Sequence, residues 1–420
     1  MISMRNRIGL HGAYFLGMAG IRFTLPYLPL YLTREGLSDR SIGFVSTLAA
    51  LASLVQYPVG IWSDRLARRK PFLLVAFGTL AGATFLLRRD HNPFLLGVLV
   101  ILFAENGVCR AVVESLTGAV ASASAPLGET ASALGALRFW KPTGIVLMAL
   151  AGSWIARTQG IAAILVPLIV IQSLAFVFVM FLQESPYDAG VRRDITTSAQ
   201  RAGGTWNDAA LWTFILAMVL FHVANAPGGL YLSLHMQRSL GATDSMIPYA
   251  FVMSMCAWMV VVRPVGVLAD RWGRRPLLIA AWAIMSLRLA LAALATTPWQ
   301  LIMNQSLDGV ANAMFAVPAA AWVTDRLGDP GRAGEAQAIV GTSLVLGSAI
   351  GPAASALVVD AVGYRGLFLI LAGVGAVATL VIAFFIPETL VLSTRLDDRD
   401  APALQSLHAS TLGDVPASSS

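Results

Sequence analysis

Charge is scarce in this chain. Asp, Glu, Lys and Arg together make up 12% of its 420 residues, about half the share usual in a soluble protein. Lysine occurs only at positions 70 and 141, so the formal net charge of +6 is carried by arginine. Those arginines sit in short segments between apolar blocks rather than on one stripe or face, which argues against a nucleic-acid partner. Cysteine is nearly absent. Cys109 and Cys256 lie in separate apolar blocks without metal-ligand neighbours, so neither a disulfide framework nor a metal site is expected. No H-E-x-x-H or G-x-S-x-G constellation occurs, and no G-x-x-x-x-G-K-[ST] loop. An enzyme, a cofactor and an ATP-driven pump are therefore not expected.

What the chain does have is apolar length. Hydrophobic residues make up 57% of it and fall in blocks long enough to cross a bilayer, for which about 18 to 20 residues suffice. Inside a membrane every backbone polar group must be bonded internally, so such blocks are helices. Twelve spans are read, at about 8–32, 41–62, 71–88, 94–119, 132–156, 160–182, 209–235, 246–268, 276–296, 299–324, 334–360 and 364–387. The first block is too long for a signal-peptide core and is read as a retained helix. Residues 1–182 form an N-terminal six-helix bundle, 183–208 a polar cytoplasmic linker, 209–387 a C-terminal six-helix bundle and 388–420 a disordered cytoplasmic tail poor in apolar residues. The basic residues concentrate in the loops that share a side with both termini, Arg65 to Lys70 and Arg271 to Arg275 among them. That places the N- and C-termini in the cytoplasm. The arginine-rich, alanine-rich usage suggests a bacterial chain, hence a bacterial inner membrane.

The two halves repeat. Gly60-Ile-Trp-Ser-Asp64-Arg65-Leu-Ala-Arg68-Arg69 returns as Gly266-Val-Leu-Ala-Asp270-Arg271-Trp-Gly-Arg274-Arg275 at the same depth in the second half, and Tyr27-Leu-Pro-Leu-Tyr31 is echoed by Tyr231-Leu-Ser-Leu-His235. On these residues the chain resembles the major facilitator superfamily, whose signature loop follows the second and eighth spans. The resemblance covers essentially the whole chain. It implies an all-α membrane protein of two pseudo-symmetric six-helix bundles working by alternating access around a central site. It also implies a latch in which Asp64 and Asp270 face Arg65, Arg68, Arg271 and Arg274; the alternative is that these arginines serve only orientation.

Within the superfamily the first half is similar to the oligosaccharide/nucleoside–proton symporter branch. The matching residues are Pro26-Tyr-Leu-Pro29, Gln56-x-x-x-Gly60, Glu114, Gly135-Ala-Leu-Arg138-Phe-Trp140 and Arg288. This resemblance implies substrate binding at Glu114 and Arg138 and a place for Arg288 in proton coupling. There are departures. The branch's coupling His and Glu appear here as Asp308 and Ala311, and Lys141 stands where the branch has glycine. Drug–proton antiporters are the other subgroup considered. Span 5 lacks their G-x-x-x-G-P pattern, while span 11 carries Gly347-Ser-Ala-Ile-Gly351-Pro352.

An ionisable group inside a span costs about 2.5–3.5 kcal/mol on insertion scales, so it faces a cavity or a partner. The candidates are Arg22, Glu105, Arg110, Glu114, Arg138, Lys141, Arg288 and Asp308. Asn106, Arg110 and Glu114 are spaced i, i+4, i+8 and share one helix face. They form either a self-neutralised structural pair or a substrate face opposite Arg138. Asp308 is either a proton carrier that meets Arg288 in one state or a permanent strut with it, and Glu114 and Glu105 are rival proton carriers. His222 and His235 either line the cavity or are packing residues. Cations outnumber acids in this set, which favours an anionic solute.

The expectation is a monomeric secondary transporter of a small organic solute, coupled to protons by symport, with the lipid bilayer as its other partner. A proton-driven drug or metabolite exporter is the alternative. A non-transporting membrane sensor is the alternative of another class.

Overall fold

The computed structural model describes residues 4–23, 36, 48, 51–89, 107–126, 128–183, 207–243, 246–328 and 330–390. These residues are almost wholly helical, and each of the twelve spans contains a helix. The linker residues 184–206 and the tail from 391 onward fall outside them.

In the first half the helices are Met4–Phe23 in span 1, Gln56–Arg65 in span 2, Lys70–Arg89 in span 3 and Val108–Ala123 in span 4. Thr130–Arg138 and Trp140–Gln159 form span 5, and Leu165–Phe181 forms span 6. Seven helices among the described residues are long and apolar enough by themselves to cross a membrane. Span 5 shows how the sequence shapes an element. Phe139 keeps helical dihedrals (φ −57°, ψ −35°), yet the hydrogen-bonded ladder is interrupted there. Pro142, with no N–H, cannot donate to the Arg138 carbonyl four residues back. Helix ends are tied across the bundle as well. The Lys70 ammonium donates to the carbonyls of Met180 and Leu182 at 2.8 Å each, closing the C-terminal end of span 6.

The second half has Ala209–Arg238 as span 7, Ile247–Trp272 as span 8, Arg274–Leu294 as span 9 and Pro298–Leu327 as span 10. One helical run, Ala333–Phe385, holds spans 11 and 12, divided at Gly363, whose φ of 67° breaks the helix. Span 10 begins with a capping box in which Thr297 and Gln300 bond reciprocally. Its inward face meets spans 7 and 9 through a cluster of rings. Phe221 stacks on Phe315 at 4.7 Å, and Phe214 meets Trp322 at 4.4 Å. Trp282 and Trp322 are fully buried. Such aromatic pairs contribute about 0.5–1.5 kcal/mol each beyond the area they bury, so this cluster gives the site a firm wall.

Where the halves meet beside the signature loops, glycine decides the geometry. A Cβ on Gly60 would lie 2.6 Å from the Gly334 carbonyl oxygen, and one on Gly266 would lie 2.7 Å from the Ala131 carbonyl oxygen. Spans 2 and 11, and spans 5 and 8, thus touch backbone to backbone at equivalent places. In the absence of a hydrophobic drive between helices in lipid, close approach of this kind is what holds membrane helices together.

Candidate functional site

Between the halves lies a cavity of about 110 Å³ lined from spans 2, 4, 5, 7, 8, 10 and 11. Its first wall is charged. Glu114 and Arg110 project from span 4, and Arg138 and Lys141 from span 5. Lys141 Nζ grips Glu114 Oε1, and Arg110 Nε stands 3.9 Å from Glu114 Oε2. Arg138 is only 8% exposed. Its Nη2 donates to Gln337 Oε1 of span 11 at 3.2 Å, and Gln337 in turn donates to Ser122 Oγ of span 4 at 3.3 Å. No carboxylate lies within ion-pair distance of Arg138 among the described residues. A buried guanidinium held by one neutral amide is incompletely compensated, and an anion entering the cavity would complete it.

The facing wall is softer. Trp258 from span 8, with His222, Asn312 and Phe315, completes the lining. The Lys141 ammonium sits 5.6 Å from the Trp258 ring centroid, a cation–π contact across the two halves. The sequence left His222 and His235 together, and the structure separates them. His222 lines the cavity, whereas His235 packs against the rings of Tyr364 and Phe368, both at 5.7 Å.

Behind Asn312 lies a buried polar network that the sequence reading did not assemble. Arg288 Nη1 pairs with Asp308 Oδ1 at 2.9 Å, and Arg288 Nη2 donates to Asn225 Oδ1 at 3.0 Å. Asn225 donates to Asn312 at 3.1 Å, Asn312 to Asp308 Oδ1 at 3.0 Å and Ser254 to Asp308 Oδ2 at 2.6 Å. Neither Asp308 nor Arg288 lines the cavity; Asp308 stands one helical turn before Asn312, which joins the pair to the cavity wall. Neutral amides and a hydroxyl inside apolar spans were the signal that could have pointed to Asn225, Ser254, Asn312 and Gln337. Each is costly in lipid unless bonded.

The signature loops build two matched clasps. Asp64 accepts from the backbone N–H groups of Gly334 (3.1 Å) and Glu335 (2.8 Å) at the start of span 11. Asp270 accepts from those of Ala131 (3.1 Å) and Ser132 (2.7 Å) at the start of span 5. Each acid thus caps a helix of the other half, where a carboxylate is favoured by the exposed N–H groups and the helix dipole.

The arginine partners differ from expectation. Arg65, Arg68 and Arg271 are exposed. The chain reverses at Ala67 (φ 48°) and brings Arg69, not Arg65 or Arg68, to Asp64 at 2.8 Å. In the second copy Arg274, fully buried, lies 3.1 Å from Asp270 and 2.9 Å from Asp325. Asn106 and Glu105 lie outside the described residues. Arg22 lies on the span 1 helix, but its side chain falls outside the described set.

A cavity at the meeting of two related helical halves, with paired clasps on one face, defines a transporter of the major facilitator type. The chain belongs to the MFS_1 like family, whose sequence profile matches residues 7–370. It is 26% identical over 399 residues to an MFS-type transporter of Mycobacterium tuberculosis, covering 89% of this chain and 91% of that one. It is 24% identical over 372 residues to the multidrug resistance protein MdtG of Citrobacter koseri, covering 86% and 89%. Its fold is similar to that of the human organic anion transporter MFSD10, with a TM-score of 0.72 at 15% identity over 90% of this chain and 99% of that one. The family is one of membrane transporters of small solutes, not of enzymes.

Proposed function

We propose that this protein carries a small organic anion across the bacterial cytoplasmic membrane by alternating access, in symport with protons. Arg138, Arg110 and Glu114 form the solute seat, to which the sequence adds Arg22 and Asn106. Asp308 and Arg288 form the coupling pair, and the two clasps form the cytoplasmic gate. The halves, 1–182 and 209–387, rock about this seat, and one chain suffices for the cycle.

The observation that carries this reading is Arg138, a buried guanidinium on the cavity wall whose hydrogen-bond partner among the described residues is a neutral amide. Removing a cation from water without a full counter-charge costs several kcal/mol, and a solute carboxylate offsets that cost. The human neighbour of similar fold is itself an organic anion transporter by description. Coupling follows from the network behind Asn312. A proton on Asp308 would break its pairing with Arg288, release Asn312 and so alter the cavity wall. A second reading, proton-driven export, is favoured by the likeness to MdtG and differs only in the direction of coupling.

Flux into vesicles holding the purified protein tests both. With a pH gradient, radiolabelled carboxylates are expected to accumulate in wild type, to lose at least tenfold in initial rate in Arg138→Gln, and to exchange without accumulating in Asp308→Asn. Net efflux driven by the gradient would select the exporter. A neutral sugar or nucleoside moving while every carboxylate stays out would refute the anion seat. No flux of any solute would leave a sensor.

A further inference from the structure

Glu114 lines the cavity between two cations. Its carboxylate is held by Lys141 through one oxygen and faced by Arg110 through the other, on the wall that also carries Arg138. The cations of this wall thus face the protein's own carboxylate. Lys141 is the unusual member of the set, a cation where the resembling symporter branch has glycine, and it already touches a second partner, the Trp258 ring of the other half.

Among the described residues the titratable and charged groups around Glu114 are few. They are Arg110 on its own helix, Lys141 and Arg138 on span 5, and Tyr14 on span 1, with His222 of span 7 across the cavity. Among the described residues the Tyr14 hydroxyl and the His222 Nε2 have no hydrogen-bond partner. None of these groups other than Glu114 is an acid that could stand in for the solute.

We propose that Glu114 is an internal stand-in for the solute, and that a monocarboxylate displaces it while Glu114 takes up one proton. This rests on the anion-seat reading above and places the proton taken up on binding at Glu114, with Asp308 left to act when the halves move. The arriving carboxylate pairs with Lys141, Arg110 and Arg138. Glu114, stripped of its cations in a closed cleft of low dielectric, is far more stable neutral than charged. Charge balance selects the class of solute. Three cations face one carboxylate before binding, and three cations face one carboxylate and a neutral acid afterwards. A monoanion entering with one proton leaves the site's charge unchanged, whereas a dianion or a neutral solute does not. By linkage, a proton taken up with the solute makes solute affinity fall as pH rises, by about tenfold per unit.

Calorimetric titration of the purified protein with benzoate tests this, run between pH 6 and 8 in buffers of different ionisation enthalpy, with benzamide as the uncharged control. In wild type, about one proton is expected to be taken up per benzoate bound, with affinity falling about tenfold per pH unit. In Glu114→Gln, uptake and pH dependence are both expected to vanish. Benzoate binding in wild type without proton uptake, or uptake that survives in Glu114→Gln, overturns the proposal and leaves the anion seat standing. Failure of benzoate to bind, or equal binding of benzamide, overturns the anion seat itself. The wild-type titration needs no variant, so a poorly folded Glu114→Gln does not remove the test.

Discussion

At Asp308 and Arg288 two roles compete, and mutation separates them. Deleting one member of a buried ion pair strands the other and costs about 3–5 kcal/mol, while replacing both with apolar residues of similar size is often close to neutral. Arg288→Met alone is therefore expected to lower the thermal midpoint in detergent steeply, and Arg288→Met with Asp308→Leu to recover most of it. Recovery of stability without recovery of coupled flux marks a proton carrier. Recovery of both marks a strut. Asp208 offers a pH test outside the membrane. The Arg326 hydrogen bond holds its carboxyl below the ordinary 3.8, with Arg326 Nε 2.6 Å from it. A depressed acid adds stability that is present above its unfolded value and is lost as pH falls through the folded one. The stability gap between wild type and Asp208→Asn should persist at pH 5 and close below about 3.8; Asn keeps the helix cap, so the gap reports the ion pair. A gap that widens toward acid would contradict this. The charged residues of the site could be read from sequence because a charge in an apolar run has few explanations. Asn225, Asn312 and Gln337 give a weaker signal, because a lone amide in a helix is as often turned to its own backbone as to a partner sixty or more residues away.

Elements record the sequence more directly than the site does. Hydropathy marks where twelve helices run, and the Gly363 break between spans 11 and 12 coincides with the boundary read from the chain. Sequence alone does not show which helix ends meet across the halves, since the contacts of Asp64 with Gly334 and of Asp270 with Ala131 span 270 and 139 residues. The glycines of the signature motif gain their reason only from those contacts. Each sits one turn before its aspartate, on the same helix face, and lets the capped helix approach. Gly60→Val is accordingly expected to part spans 2 and 11, and Asp64→Ala to weaken the same end by about 1 kcal/mol, the usual worth of a helix cap. Hydrogen exchange of the amides at 333–338 reads both. Exchange several-fold faster there, with 209–238 unchanged, is the expected outcome. Unchanged protection at 333–338 would show that Asp64 does not hold the gate.

At the scale of the molecule the two clasps share no partner, and in the proposed cycle both act on one rocking motion. Perturbations at sites with no shared partners combine nearly additively, so the effects of Asp64→Ala and Asp270→Ala on the balance between closed and open faces should multiply as populations. Spin labels replacing the exposed Arg68 and Arg271 report that balance as a distance distribution. The double variant should shift weight to longer distances by about the product of the single effects. A double variant no different from either single would mean that one clasp alone governs the face. The exchange of caps between halves has a further consequence. The donors on the receiving side are main-chain amides, which no substitution except proline can delete, so drift in side chains at 131, 132, 334 and 335 leaves the bonding intact. Inherited loss of closure should therefore concentrate at two aspartates and the glycines that seat them, leaving the surface arginines around them free to vary.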